Sequence, residues 1–148
     1  MTVRLDPSLR GKNLDQIEGV VWDAPEWDSR LVRECHRLRR VPLAQFGAEQ
    51  FRLMIGQGIS LATLVPLALE LLAQNPWVEG DLYPGDLLSN VLKVPGDFWR
   101  AHPELRKELD HVVEQALVWH EHGEEREATS VAELATLEVL RRWRTAER

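Results

Sequence analysis

Two histidines that flank a glutamate, His120-Glu121-His122, are the first residues in this 148-residue chain that could bind a metal ion. The spacing argues against it. On a helix, residues two apart point about 200° from each other, so the two rings cannot meet one ion from one face. His111 returns to a similar side nine residues earlier, but that is about 13 Å along a helix axis, too far to share a site. The HExxH spacing is absent, and a single cysteine removes the usual zinc frameworks. His36 stands beside a run of arginines and is expected to be solvated, while His102 is placed to cap a helix beginning at Pro103. Cys35 shares an apolar stripe with Leu31, Val32 and Leu38, and so reads as a buried structural thiol rather than a nucleophile. Gly56-Gln57-Gly58 has no strand before it and completes no GxGxxG, so a tight turn is favoured over a phosphate cradle. Glu79, Asp81, Asp86 and Asp97 crowd the middle of the chain. Paired carboxylates can do acid–base work, but no nucleophile accompanies them, and a solvated rim is the simpler reading. No catalytic residue, metal or cofactor is expected.

The distribution of charge is more informative. Arg30 to Arg52 carries six basic residues against two acidic ones, whereas Glu70 to Trp99 carries five acidic residues against one basic, Lys93. Residues 121 to 127 add four glutamates and one arginine, and the whole chain has a formal charge of −6. That balance argues against direct nucleic-acid binding, which needs a basic face to neutralise phosphates. Two readings of the segregation stand side by side. Either the basic helix pairs with the acidic loops inside the molecule, or the acid forms a surface aimed at a cationic partner. Of the six tryptophans, Trp99 and Trp119 are expected in the core, while Trp22, Trp27 and Trp77 sit in proline-rich loops and are free to be exposed. Aromatic rings beside carboxylates suit lysine and arginine. The candidate partner-binding set is therefore Trp77, Glu79, Asp81, Tyr83, Asp86 and Asp97.

The elements that must position this set are helical. Hydrophobic residues make up 44% and charged residues 28% of the chain, enough for one core with a solvated surface. Residues 1–27 show no helical period and predict an irregular arm, 28–122 a helical domain, and 123–148 a charged linker followed by a helix packed on, or extending from, that domain. Within the domain, helices are predicted from about Ser29 to Pro42, Ala48 to Ile55, 59 to 75, Asp86 to Leu92, Gly96 to Ala101, and from Pro103 to Gly123. The 59–75 segment is apolar nearly all round, the mark of the central helix of a bundle; Pro66 is expected to kink or start it. The last helix begins at a capping box, Ser130 to Glu133. No alternating pattern predicts a strand. The fold expected is an all-α, compact multi-helix bundle. The longest apolar run, Ile59 to Ala73, is interrupted by Ser60, Thr63, Pro66 and Glu70, too short and too polar for a bilayer. With no apolar signal segment between Met1 and Gly11 and a single cysteine, a cytoplasmic protein is expected.

Four stretches resemble a known family. Phe51-Arg52-Leu53-Met54-Ile55-Gly56-Gln57, Leu64-Val65-Pro66-Leu67-Ala68-Leu69-Glu70, Glu79-Gly80-Asp81-Leu82-Tyr83-Pro84-Gly85-Asp86-Leu87-Leu88 and Phe98-Trp99 are similar to bacterial contact-dependent growth inhibition (CDI) immunity proteins over about residues 20 to 120. The resemblance implies a cytoplasmic protein that binds the C-terminal toxin domain of a surface-delivered effector and blocks it in sister cells. Such toxins are often nucleases with basic active sites, which an acidic inhibitor would suit. It implies no membrane or nucleic-acid partner and does not identify contact residues. A metal-dependent or other small helical enzyme, or a helical adaptor, are the alternatives. Bound metal would favour the first; a change in solution mass on deleting residues 124–148 would favour the second.

Overall fold

The computed structural model describes residues 7–23, 29–122 and 131–146. Among them are eight α-helices and no strand: α1 (Leu14–Glu18), α2 (Arg30–Leu38), α3 (Ala48–Gly56), α4 (Leu61–Gln74), α5 (Asp86–Leu92), α6 (Gly96–Ala101), α7 (Pro103–His122) and α8 (Val131–Ala146). A short 3₁₀ turn at Pro7–Gly11 precedes α1, and another at Leu43–Gln45 lies between α2 and α3. The chain is an all-α bundle.

Helix α4 is its axis. Leu64 to Leu69 and Leu72 are all buried, so the helix has almost no wet face. It runs through Pro66 rather than starting there; the missing N–H leaves one carbonyl of the first turn without its intrahelical donor. Helices α3 and α5 pack on each other and on α4, and α7 closes the other side with Leu105, Leu109, Val112, Val113, Ala116 and Leu117. That stripe follows the 3.6-residue period, so its next member is His120, which is half-buried. Trp119, expected in the core, falls off the stripe and is 40% exposed.

The N-terminal stretch departs from the irregular arm that the sequence predicts. Asn13 accepts from the Gln16 N–H (2.8 Å) while the Gln16 side chain accepts from the Asn13 N–H (2.9 Å), a reciprocal cap that starts α1. Leu14 is fully buried. A five-residue helix is too short to show a period, which is why the capping pattern is its sole signal in the sequence. Arg39 fastens this stretch to the body. The residue is 1% exposed, and its guanidinium pairs with Asp15 (2.8 Å) and Glu18 (2.7 Å), reaches the Val20 carbonyl (3.2 Å), and lies 4.5 Å over the Trp22 ring. Ser60, at φ 51°, accepts from Arg39 and donates to Glu18 (2.6 Å), tying the start of α4 to the same cluster.

Helix α2 starts where Ser29 Oγ accepts from the Val32 N–H (3.1 Å). Gly58, at φ 72°, ends the turn after α3, as the glycine pair predicts. His102 stands at the start of α7 as expected, its carbonyl accepting from the Arg106 N–H (3.1 Å), while its ring turns back: Nδ1 donates to the Phe98 carbonyl (2.8 Å) and the ring stacks on Phe98. Helix α8 packs on α7 and α5, burying Thr136, Leu137 and Leu140. Trp143 fixes it further: its indole N–H donates to Asp110 (2.8 Å), and Arg106 lies 4.3 Å above the ring. Trp27 and the capping residue Ser130 lie outside the described residues.

Candidate partner-binding site

The acidic stretch between α4 and α5 is a built loop. Asn75 ends α4 and its Oδ1 accepts from the Trp77 N–H (3.1 Å). That turn sends the indole inward. Trp77, expected to be free for exposure and for partner contact, is buried, and its Nε1–H donates to the Ala116 carbonyl of α7 (2.9 Å). An aromatic body with a polar tip finds both its needs met inside the bundle. At the loop's far end Gly85 turns with φ 88°, and a Cβ there would lie 2.7 Å from Trp77 Cε3. No other residue type fits both the dihedral and the ring. Glu79 and Pro84 bridge antiparallel across the loop, and the Gly85 N–H donates to the Trp77 carbonyl (3.1 Å).

Asp86 organises the interior of the loop. It is the first residue of α5 and 0% exposed. Oδ1 accepts from the Gly80 N–H (2.7 Å), and Oδ2 from the N–H groups of Leu82 (3.0 Å) and Tyr83 (3.4 Å). Arg52 of α3 stands 3.8 Å from Oδ2. Asp86 was a candidate contact residue on its charge alone; the structure places it inside, where its carboxylate is spent on the loop's own backbone. The second support comes from α3. Glu49 takes two hydrogen bonds from Arg52 (2.6 and 2.5 Å) and accepts from the Asp81 N–H (2.9 Å). The Arg52 hydrogen bonds hold the Glu49 carboxyl below the usual carboxylate range, and the same contact raises Arg52.

With the backbone turned inward, the side chains of Glu79, Asp81 and Leu82 point outward and Tyr83 is half-buried. Leu82 is 62% exposed. Asp97 lies apart from this loop in sequence, on α6, where it is exposed and pairs with Arg100. Of the six candidates, then, Glu79, Asp81 and Asp97 are exposed, Tyr83 is partly so, and Trp77 and Asp86 are supports. Glu49, Arg52 and Leu82 are absent from the sequence-derived set. The signals for them were an i,i+3 ion pair in the otherwise basic stretch and a lone leucine among loop polars.

Part of the charge segregation is reconciled within the molecule. Arg39 pairs with α1, Arg37 with Glu34 of its own helix, and it is Arg52 that joins the basic stretch to the acidic loop. No group of three or more histidine, cysteine, aspartate or glutamate side chains that could hold a metal occurs among the described residues. Cys35 is buried, and desolvation pushes its thiol up, with Glu34 adding to the effect. A thiol so placed is held away from the nucleophilic thiolate. No helix among the described residues is long and apolar enough to cross a membrane.

A family described as CDI immunity proteins matches residues 16–109, a span that contains Glu49, Arg52 and the whole acidic loop. No curated protein and no solved structure matches the chain.

Proposed function

The chain belongs to the CDI immunity proteins, a family of toxin-neutralising partners, and from that premise we propose that it blocks a nuclease toxin domain by laying its acidic loop over the toxin's cationic active site. It acts in the cytoplasm, where the delivered domain meets its substrate, and it does so by coverage, without catalysis of its own. The observation that carries this reading is the division of labour in the loop. Asp86 and Glu49 occupy the backbone N–H groups from inside, and the carboxylates of Glu79 and Asp81 face solvent on a fixed support.

Several physical arguments support it. A preorganised surface spends little ordering entropy on binding. Negative charge facing a basic cleft raises the encounter rate as well as the selectivity. A standard interface of about 800 Å² per partner fits on one face of a molecule of this size. Asp97, Tyr83 and Leu82 are placed here at the margin of the contact, as adaptable periphery.

The test is binding to the C-terminal domain of the effector encoded beside this chain. That domain should co-purify with the chain and lose its nucleic-acid cleavage in the complex. Glu79→Lys with Asp81→Lys should slow association roughly tenfold at low salt, and the loss should shrink as the Debye length contracts to about 8 Å at physiological ionic strength. An unchanged on-rate in the double reversal excludes the acidic loop as the contact. A toxin domain that cleaves no nucleic acid excludes the nuclease.

A further inference from the structure

Beside the loop, α2 and α3 diverge to leave a groove of about 530 Å³. Its floor is leucine: Leu38 is buried, Leu53 half-buried, and Leu31 is 41% exposed at the mouth. Its walls carry three carboxylates, Glu34, Glu49 and Asp81. Two of these are already engaged, Glu34 by Arg37 and Glu49 by Arg52. The Asp81 carboxylate has no ion pair among the described residues, and its backbone is fixed by the Glu49 bond at 2.9 Å. The groove therefore offers an apolar channel with a carboxylate at its edge that makes no direct ion pair among the described residues, although Arg52 lies near enough to feel its charge.

We propose that this groove is the socket for one long basic side chain, lysine or arginine, projected by the protein partner; the inference rests on the reading of the chain as a toxin-binding protein. The chemistry matches in both halves. An aliphatic stem of three or four carbons covers Leu31 and the open side of Leu53, as such stems do on other apolar surfaces. The cation at its end meets Asp81, with Glu34 and Glu49 behind it. Two other grooves fit this ligand less well. The one between α4 and α7, about 600 Å³, sets Lys107 and His111 among its carboxylates. The one beside the 3₁₀ turns, about 430 Å³, is lined by the Arg10–Glu70 pair. Within the socket itself Arg30 opposes a cation from the start of α2, so its removal should strengthen binding.

The experiment titrates the full isotope-labelled chain with N-acetyl-lysine methylamide, and in parallel with N-acetyl-norleucine methylamide, which has the stem without the ammonium. The lysine probe should shift the backbone amides of Leu31, Gln50, Leu53 and Asp81 to saturation, with a Kd on the order of 1 mM, the strength typical of a ligand of about 14 heavy atoms. The norleucine probe should bind roughly fivefold or more weakly. Asp81→Asn, a surface change that leaves the fold intact, should weaken the lysine probe by up to roughly fivefold, and Arg30→Gln should tighten it. Equal shifts from both probes, no shift at these amides, or an Asp81→Asn chain that binds as before overturns the socket. A toxin domain that binds the chain while the lysine probe leaves the groove unmoved overturns the socket and leaves the toxin-binding reading standing. A chain that captures no toxin domain overturns that reading, while the probe titration still decides the socket.

Discussion

Replacing Asp86 with asparagine exchanges one oxygen for an NH₂ group at nearly constant volume, and so it isolates what the carboxylate does. In the native loop Oδ1 accepts from Gly80 and Oδ2 from Leu82 and Tyr83, with Arg52 at 3.8 Å. Asparagine has one acceptor oxygen. If that oxygen faces Gly80, its NH₂ confronts the Leu82 and Tyr83 N–H groups; if it is flipped, the 2.7 Å bond to Gly80 is lost. One orientation forfeits a 3.0 Å bond and a weak 3.4 Å bond, and the other forfeits the shortest of the three. A hydrogen bond to a charged acceptor contributes about 1.5–3 kcal/mol. The weakened interaction with Arg52 adds less, because that contact is long at 3.8 Å and the guanidinium gives both of its short hydrogen bonds to Glu49. The sum is about 2–4 kcal/mol, a large share of the about 5–15 kcal/mol available to a domain, yet compatible with a folded chain.

Urea unfolding gives the total, and hydrogen exchange locates it. Protection should fall at the Gly80, Leu82 and Tyr83 amides and persist in α4, because the loop opens without the bundle. Asp81→Asn is the matched control. Its exposed carboxylate supports nothing inside the loop, so stability should stay within about 0.5 kcal/mol. If Asp86→Asn changes neither stability nor loop protection, the claim that a buried carboxylate sets the loop is wrong, and Gly85 with Trp77 must hold it unaided.

Gly85→Ala should cost about 2–4 kcal/mol, combining the left-handed backbone with a Cβ 2.7 Å from the Trp77 ring, measured by denaturant titration. Arg39→Ala strands Asp15 and Glu18 without their partner; a loss of about 3–5 kcal/mol is expected, with early proteolytic cleavage around residues 13–20 as the local readout. Glu49 has its folded-state pKa depressed by Arg52 below the ordinary 4.5, so the stability it contributes is present above that value and drains away as pH falls through the lowered one; Glu49→Gln should flatten that acid limb of the stability curve without altering its slope near neutrality.

The helices were legible because the apolar period was long enough to count. α4 shows its uniform face in the sequence, and Pro103 with Glu104 marks the start of α7. Helix α1 is hard to read because five residues are barely more than one turn, and its two apolar residues, Leu14 and Ile17, are too few to show a period. The site was legible by composition and not by role. Glu79, Asp81 and Asp86 are all carboxylates of one short stretch, yet one is 0% exposed and bound to three N–H groups while the other two face solvent. Which carboxylate turns inward is decided by contacts across the chain, from Arg52 of α3 and from the Trp77 anchor on α7. No local pattern carries that information.

The same geometry separates the cost of holding the loop from the choice of what it displays. Its conformation is fixed through main-chain N–H groups at residues 80 to 83 and through the Gly85–Trp77 contact. The side chains at 79, 81 and 82 take no part in those bonds as donors or acceptors that the support requires. Substituting them therefore changes charge and shape at the surface while leaving the support in place, since exposed positions away from such features shift stability by about 0.5 kcal/mol or less. Substituting Asp86, Glu49 or Gly85 moves the whole platform, and every displayed side chain with it. On the proposed contact, such a loop is retuned toward a different partner at three positions without being refolded, because specificity at an interface is a difference between affinities and, on that proposal, the difference is set by groups the fold does not use.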